Sequence, residues 1–215
     1  RLLLKHATER PGAPAMREKE YGIWQTRSWA DMATLVEHLA CGLHQAGLQR
    51  GEHMIVVGAN RPRLSATMLA AQALGAIPVP LYQDAAAAEC VFPITNAEVR
   101  FCLVEDQEQV DKMLEVRESC PQLAHIYYDD PRGLRNYQED GLTALDDLLT
   151  AGKSFAASHP TFFKGEVAKA HATDVAAMFF TSGTTGNPKG VVHTHLSLLD
   201  RSEAGAKFDK LTTGE

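Results

Sequence analysis

Short apolar runs that alternate with helix-forming stretches constrain this chain more than any other feature. Residues 53–58 carry Met54, Ile55, Val56 and Val57, and residues 77–80, 100–104 and 124–128 are runs of the same kind. Between them, Pro62 opens a helix that continues through 64–74 to Gly75. Asp84 is placed to cap a helix over 85–96, which Pro93 interrupts, and 107–119 reads as a third helix. Apolar runs this short are strands buried on both faces, and the helical segments between them are crossovers joining parallel neighbours. The expected fold class is α/β: a mostly parallel sheet with helices on both faces, followed by the start of a second sheet that carries a glycine-rich hairpin loop.

The flanks extend this pattern. Residues 1–9 read as a helix ended by Pro11, and 13–17 with 22–28 as a hairpin. Ser28 caps the next helix, where Trp29, Met32, Ala33, Val36, Leu39, Ala40 and Leu43 recur at helical spacing until Gly47. Residues 129–140 are a polar loop and 142–150 a short helix. Residues 151–174 show no clear period and are expected to link two subdomains, 1–170 and 171–215. With 45% hydrophobic residues in 215, the chain can bury a real core. A net charge of −6 gives no electrostatic basis for nucleic-acid binding. Cys41, Cys90, Cys102 and Cys120 form no C-x-x-C motif and read as buried thiols in a reducing cytoplasm. No apolar run reaches membrane-spanning length, which leaves peripheral contact as the expected form of membrane association.

The chemistry is concentrated in Thr181-Ser182-Gly183-Thr184-Thr185-Gly186-Asn187-Pro188-Lys189-Gly190. Glycines permit close approach of the backbone to an anion, successive N–H groups form a concave nest, hydroxyls add donors, and Lys189 adds a mobile positive charge. The spacing is neither the Walker pattern nor G-x-G-x-x-G. Asn187-Pro188 is a turn that prevents a helix from starting at once, and Val191-Val192-His193 favours a strand. The reading is strand, long loop, strand: a polyphosphate cradle on a hairpin, followed by a helix over 196–208 that His195 is expected to cap unless it contacts the loop. A loop so rich in glycine is expected to be mobile without nucleotide. A plain glycine-rich hairpin tip is the dull alternative.

The same segment, through Val191, resembles the phosphate-binding signature of the adenylate-forming (AMP-binding) superfamily. Ser28-Trp29-Ala30-Asp31 and Gln72-Ala73-Leu74-Gly75-Ala76-Ile77-Pro78-Val79-Pro80 are similar to its earlier core segments. Cys102-Leu103-Val104-Glu105-Asp106 and Tyr127-Tyr128-Asp129-Asp130-Pro131-Arg132-Gly133-Leu134 resemble bacterial long-chain fatty acid–CoA ligases. The resemblance implies a two-step reaction: a carboxylate attacks the α-phosphate of ATP with Mg²⁺, and coenzyme A then displaces AMP from the acyl-adenylate. It implies that Thr181, Ser182, Gly183, Thr184, Thr185, Gly186 and Lys189 hold the departing pyrophosphate, with Thr184 and Lys189 assisting departure. The family's acyl, adenine and coenzyme A sites lie downstream, so the chain is expected to be the N-terminal portion of a longer cytoplasmic enzyme and inactive alone.

Other readings stay open at this point. Adenylation of aryl or amino acids would use the same loop, and a nucleotide-binding module without ligase chemistry would need no more than it. His193 and His195 lack a third ligand for a metal. Asp129 and Asp130 read as a solvated turn at a strand end, and Trp24 and Trp29 as packing residues.

Overall fold

The structure is a computed structural model that describes residues 1–181 and 188–212. Helix α1 (Leu2–Glu9) precedes an antiparallel hairpin of β1 (Pro14–Glu20) and β2 (Ile23–Ser28). Then follow α2 (Trp29–Gln45), β3 (His53–Val57), α3 (Pro62–Leu74), β4 (Ile77–Leu81), α4 (Ala87–Asn96), β5 (Phe101–Val104), α5 (Gln107–Glu115), β6 (His125–Tyr128) and β7 (Leu142–Ala144). The chain continues through α6 (Leu145–Ser158), α7 (Phe162–Ala168), β8 (Val175–Thr181), β9 (Lys189–Thr194) and α8 (His195–Phe208).

Five strands form a parallel sheet in the order β4-β3-β5-β6-β7. Side chains alternate across it. Met54, Val56, Phe101, Leu103 and Tyr127 join one core with α2, α3, α6 and α7, while Ile55, Val57, Val79, Cys102, Val104 and Ile126 join a second core with α4 and α5. Helices therefore cover both faces, which is why these strands are apolar throughout. Pro78 and Pro80 stand in β4, the last strand of this sheet. Ile77 donates to Glu52 on the β3 side, so by alternation the two prolines fall where an N–H would point outward. The outer edge of β4 is thus short of donors, and β8, which lies against β4, pairs with β9 in a separate antiparallel sheet.

Local chemistry sets the helix starts. Ser28 Oγ accepts from Asp31 N–H at 3.1 Å while Asp31 Oδ2 accepts from Ser28 N–H at 2.9 Å, a reciprocal capping box that starts α2. Its apolar face buries Met32, Val36, Leu39, Ala40 and Leu43. α2 crosses α6 at two glycines: a Cβ on Gly152 would stand 1.8 Å from the His38 carbonyl oxygen. At the other end of the chain segment, Leu3 and Leu4 of α1 pack on the first core. The Arg1 guanidinium donates to the carbonyls of Ala168 and Ala170 at 3.0 and 2.9 Å, tying α1 to the C-terminal end of α7.

Several expectations need correction. Residues 151–174 are not an irregular linker, because α6 runs to Ser158 and α7 occupies Phe162–Ala168. The helix expected over 142–150 begins with β7, a fifth strand parallel to β6. Asp84 does not cap α4; Ala86 N–H donates to Glu89 Oε2 at 2.9 Å and the helix starts at Ala87. The helix over 107–119 ends at Glu115 and continues as a single 3₁₀ turn, Arg117–Ser119. Trp24 is 63% exposed and is not a core residue. The four cysteines are buried and free, as expected.

Candidate functional site

β8 and β9 form the hairpin that the signature segment called for. Their register pairs Ala177 with His193, Met178 with Val192, Phe179 with Val191, Phe180 with Gly190 and Thr181 with Lys189. Cross-strand partners in an antiparallel pair share a face, so Thr181 and Lys189 stand side by side at the open end of the ladder. Both are exposed. They share that face with Phe179 and His193, whose rings meet edge to face at 5.6 Å. On the opposite face Met178 and Phe180 pack on the second core, and Phe180 meets Phe92 of α4 edge to face at 6.2 Å. The hairpin is thereby seated by Met178 and Phe180, while its other face is exposed at Thr181, Lys189 and Val191 and buried at Ala177. Gln72 of α3 adds a tie, donating from Nε2 to the Ala176 carbonyl at 2.8 Å.

Of the seven candidate phosphate-binding residues, Thr181 and Lys189 are placed together at the mouth of the loop. Ser182, Gly183, Thr184, Thr185 and Gly186 lie outside the described residues, as does most of the segment 182–189 that is expected to be mobile. What the described part can do is concentrate a cation and a hydroxyl donor beside the point where the chain leaves and re-enters the hairpin. An ammonium and a hydroxyl there suit an anion.

The structure adds two roles that the motif alone concealed. Gly190 is opposite Phe180, and a Cβ there would stand 3.0 Å from Met178 Sδ and 3.5 Å from Phe180 Cζ. The last glycine of the signature therefore makes room for the side chains that seat the hairpin. Thr194, not His195, caps α8: its Oγ1 accepts from Ser197 N–H at 3.2 Å. His195 is the first residue of the helix, with its N–H on the Asp174 carbonyl at 3.1 Å. Burial lowers the His195 pKa below its usual range, with Asp174 opposing the shift, so the imidazole is neutral near pH 7. Among the described residues no three His, Cys, Asp or Glu side chains are grouped to hold a metal, and no helix is long and apolar enough to cross a membrane.

Comparison with known proteins agrees with this architecture. The family of AMP-binding enzymes matches residues 3–211. The chain is 27% identical over 198 residues to the long-chain-fatty-acid–CoA ligase FadD15 of Mycobacterium bovis, covering 92% of this chain and 31% of that protein. It is 29% identical over 201 residues to the long-chain-fatty-acid–CoA ligase ACSBG2 of Homo sapiens, covering 93% of this chain and 29% of that protein. It thus spans less than a third of the length of these relatives. Among solved structures it is similar to the inhibitor-bound N-terminal domain of FACL13 from Mycobacterium tuberculosis, with a TM-score of 0.68 and 26% identity over 90% of this chain and 43% of that one. The anthranilate CoA ligase AuaEII in complex with anthranoyl-AMP shares the fold, with a TM-score of 0.74 and 20% identity over 90% of this chain and 34% of that one. The sheet order, the seated hairpin and the match from residue 3 to residue 211 show that the chain belongs to the family of AMP-binding enzymes.

Proposed function

We propose that this chain is the pyrophosphate-handling portion of an ATP-dependent acyl-CoA ligase that acts on long-chain fatty acids. In the first half-reaction a fatty carboxylate oxygen attacks the α-phosphorus of ATP, the bond to the bridging oxygen breaks, and pyrophosphate leaves with that electron pair. In the second, the coenzyme A sulfur attacks the acyl carbon and AMP departs. Mg²⁺ accompanies ATP and offsets phosphate charge. Residues 1–170 would act as the scaffold and 171–215 as the unit that meets the phosphates. Lys189 and Thr181 meet the leaving pyrophosphate, together with the hydroxyls of Ser182, Thr184 and Thr185. Gly183 and Gly186 let the backbone N–H groups come close. Donors aimed at charge that develops only as the bond breaks lower the barrier to that step.

The observation that supports the reading is the placement of Thr181 opposite Lys189 at the exposed end of the ladder, on the face opposite the Met178 and Phe180 side chains that pack on the second core. The names of the two curated relatives favour a long-chain acid. The deciding experiment is carboxylate-dependent ATP–pyrophosphate exchange by the intact protein, offered acids from acetate to palmitate together with benzoates and amino acids. Exchange that peaks with long-chain acids is the expected result. Exchange driven by an aryl or amino acid would replace the substrate, and no exchange with any acid would remove the ligase reading.

A further inference from the structure

A second anion-binding arrangement lies away from the hairpin, at the carboxyl ends of the parallel strands. Counting from β3, the sheet has the order 2-1-3-4-5, so successive strands are added on opposite sides of β3, with β4 on one side and β5 on the other, although all run parallel. In doubly wound sheets of this order, ligands enter the crevice where the side of addition changes, and an anion meets the first strand-to-helix turn. Here the turn is Gly58-Ala59-Asn60-Arg61 and the crevice is filled. Glu105, the residue after β5, turns its carboxylate into it. Oε2 accepts from Ala59 N–H at 2.5 Å and Oε1 accepts from Arg61 Nε at 2.9 Å. Gly58 has φ +153°, and a Cβ there would stand 2.6 Å from Glu105 Cβ. Only a glycine at 58 lets the acidic side chain come this close.

The surroundings are built around that carboxylate. Glu105 is held low in the crevice, its side chain 15% exposed. Glu105 N–H is itself bonded to the Val57 carbonyl at 2.9 Å, which fixes the stem. Arg61 also reaches Glu18 of β1 at 3.9 Å, and Arg63 pairs with Asp129 at 2.8 Å at the end of β6. A backbone donor and an oriented guanidinium on one carboxylate are the elements of an anion site, occupied here from within the chain.

We propose that the crevice between β3 and β5 is a carboxylate-binding site whose resident ligand is the chain's own Glu105. The site is closed to external anions while Glu105 is present, and it accepts a small free carboxylate when that side chain is shortened. This inference goes beyond the ligase reading and is independent of it. It also separates two tasks on one chain: anion recognition at the sheet is spent on holding β3, β5 and α3 together, and phosphate recognition is left to the hairpin.

The test uses the intact protein with Glu105→Ala and Glu105→Gln, and formate as the probe. Saturation-transfer NMR should report formate binding in E105A well above any common signal from the hairpin's Lys189 and Thr181, and no such excess in the wild type or in E105Q, whose amide still fills the space. Formate at saturation should raise the E105A unfolding midpoint by about 3–5 °C over chloride at equal ionic strength, and leave the wild type unmoved. Equal transfer in E105A and wild type would overturn the proposal, as would a midpoint in E105A that responds to formate no more than to chloride. Should E105A fail to fold in either salt, R61M, E105Q and their double variant decide the matter. A double variant little worse than either single one supports the pair, and additive losses overturn it.

Discussion

The close approach of α6 to α2 at Gly152 gives a prediction whose size can be worked from geometry. In Gly152→Ala the new Cβ would stand 1.8 Å from the His38 carbonyl oxygen, 2.7 Å from Gly42 N and 2.9 Å from the His38 carbonyl carbon. The first distance is about 1.5 Å short of an ordinary contact. All three neighbours are backbone, so no side chain can rotate away, and α6 must withdraw from α2. Withdrawal loosens Leu39, Leu43, Leu145 and Leu148, which are buried in the same core. Because a gap of 0.5–1 Å already forfeits roughly a quarter to a half of a packing contact, the loss extends along the crossing. We expect G152A to lie at or above the upper end of overpacking costs, about 3 kcal/mol, after an offset of about 1 kcal/mol from alanine's better helix propensity. For a domain of this size that lowers the unfolding midpoint by roughly 6–12 °C. Gly165→Ala in α7 is the matched control, since a Cβ there meets nothing within 4 Å and alanine should stabilise by about 0.5–1 kcal/mol. Thermal unfolding followed by circular dichroism compares the two. A G152A midpoint equal to the wild type or to G165A would refute the reasoning from close approach.

Three further outcomes are expected. Lys189→Ala should slow the adenylation half-reaction by about 100-fold while thioester formation from supplied acyl-adenylate stays within about twofold, because pyrophosphate has left by the second step. Pre-steady-state measurement of each half-reaction checks this, and proportional losses in both contradict the role. Ser28→Ala should cost about 1 kcal/mol through the α2 capping box, read from denaturant midpoints. Burial raises the Asp129 pKa above its ordinary 3.8, outweighing the attraction of Arg63. Just above pH 3.8 the folded state then binds more protons at this carboxyl than the unfolded chain, so this contribution to stability falls as pH rises. Asp129→Asn should remove that component from the pH profile of unfolding, and an unchanged profile would count against it.

The parallel sheet was legible because burial on both faces leaves its strands with uninterrupted apolar runs such as Met54–Val57. The hairpin was legible because Pro188 and the glycines of the signature segment oppose a helix between Val175–Phe180 and Val191–His193. What escaped was structure whose signal lies in three dimensions. Gly152 resembles a helix breaker in sequence, yet it is the residue that lets α6 approach α2, so residues 151–174 lost their helical period where two helices approach closely. β7 has three residues and cannot show an alternation. Trp24 is large and apolar but lies on a hairpin that offers it no core, and Lys19 covers its ring at 6.0 Å instead. The Glu105 crevice needs residues 46 and 44 positions apart to meet, a pairing that no local motif announces.

The tie between Arg1 and the end of α7 bears on how this protein is made. The carbonyls that receive the Arg1 guanidinium belong to Ala168 and Ala170, and Leu3 and Leu4 rest on a core completed by Phe163 and Val167. A ribosome adds roughly 5–20 residues per second, so α1 emerges about 10–30 s before the carbonyls that receive Arg1 exist. During that interval α1 can already pack on α2, as the His6 and Trp29 rings do at 4.6 Å, but the Arg1 guanidinium lacks both of its acceptors. The tie that fastens α1 to α7 should therefore close only after α7 has cleared the exit tunnel, well after α1 has met α2.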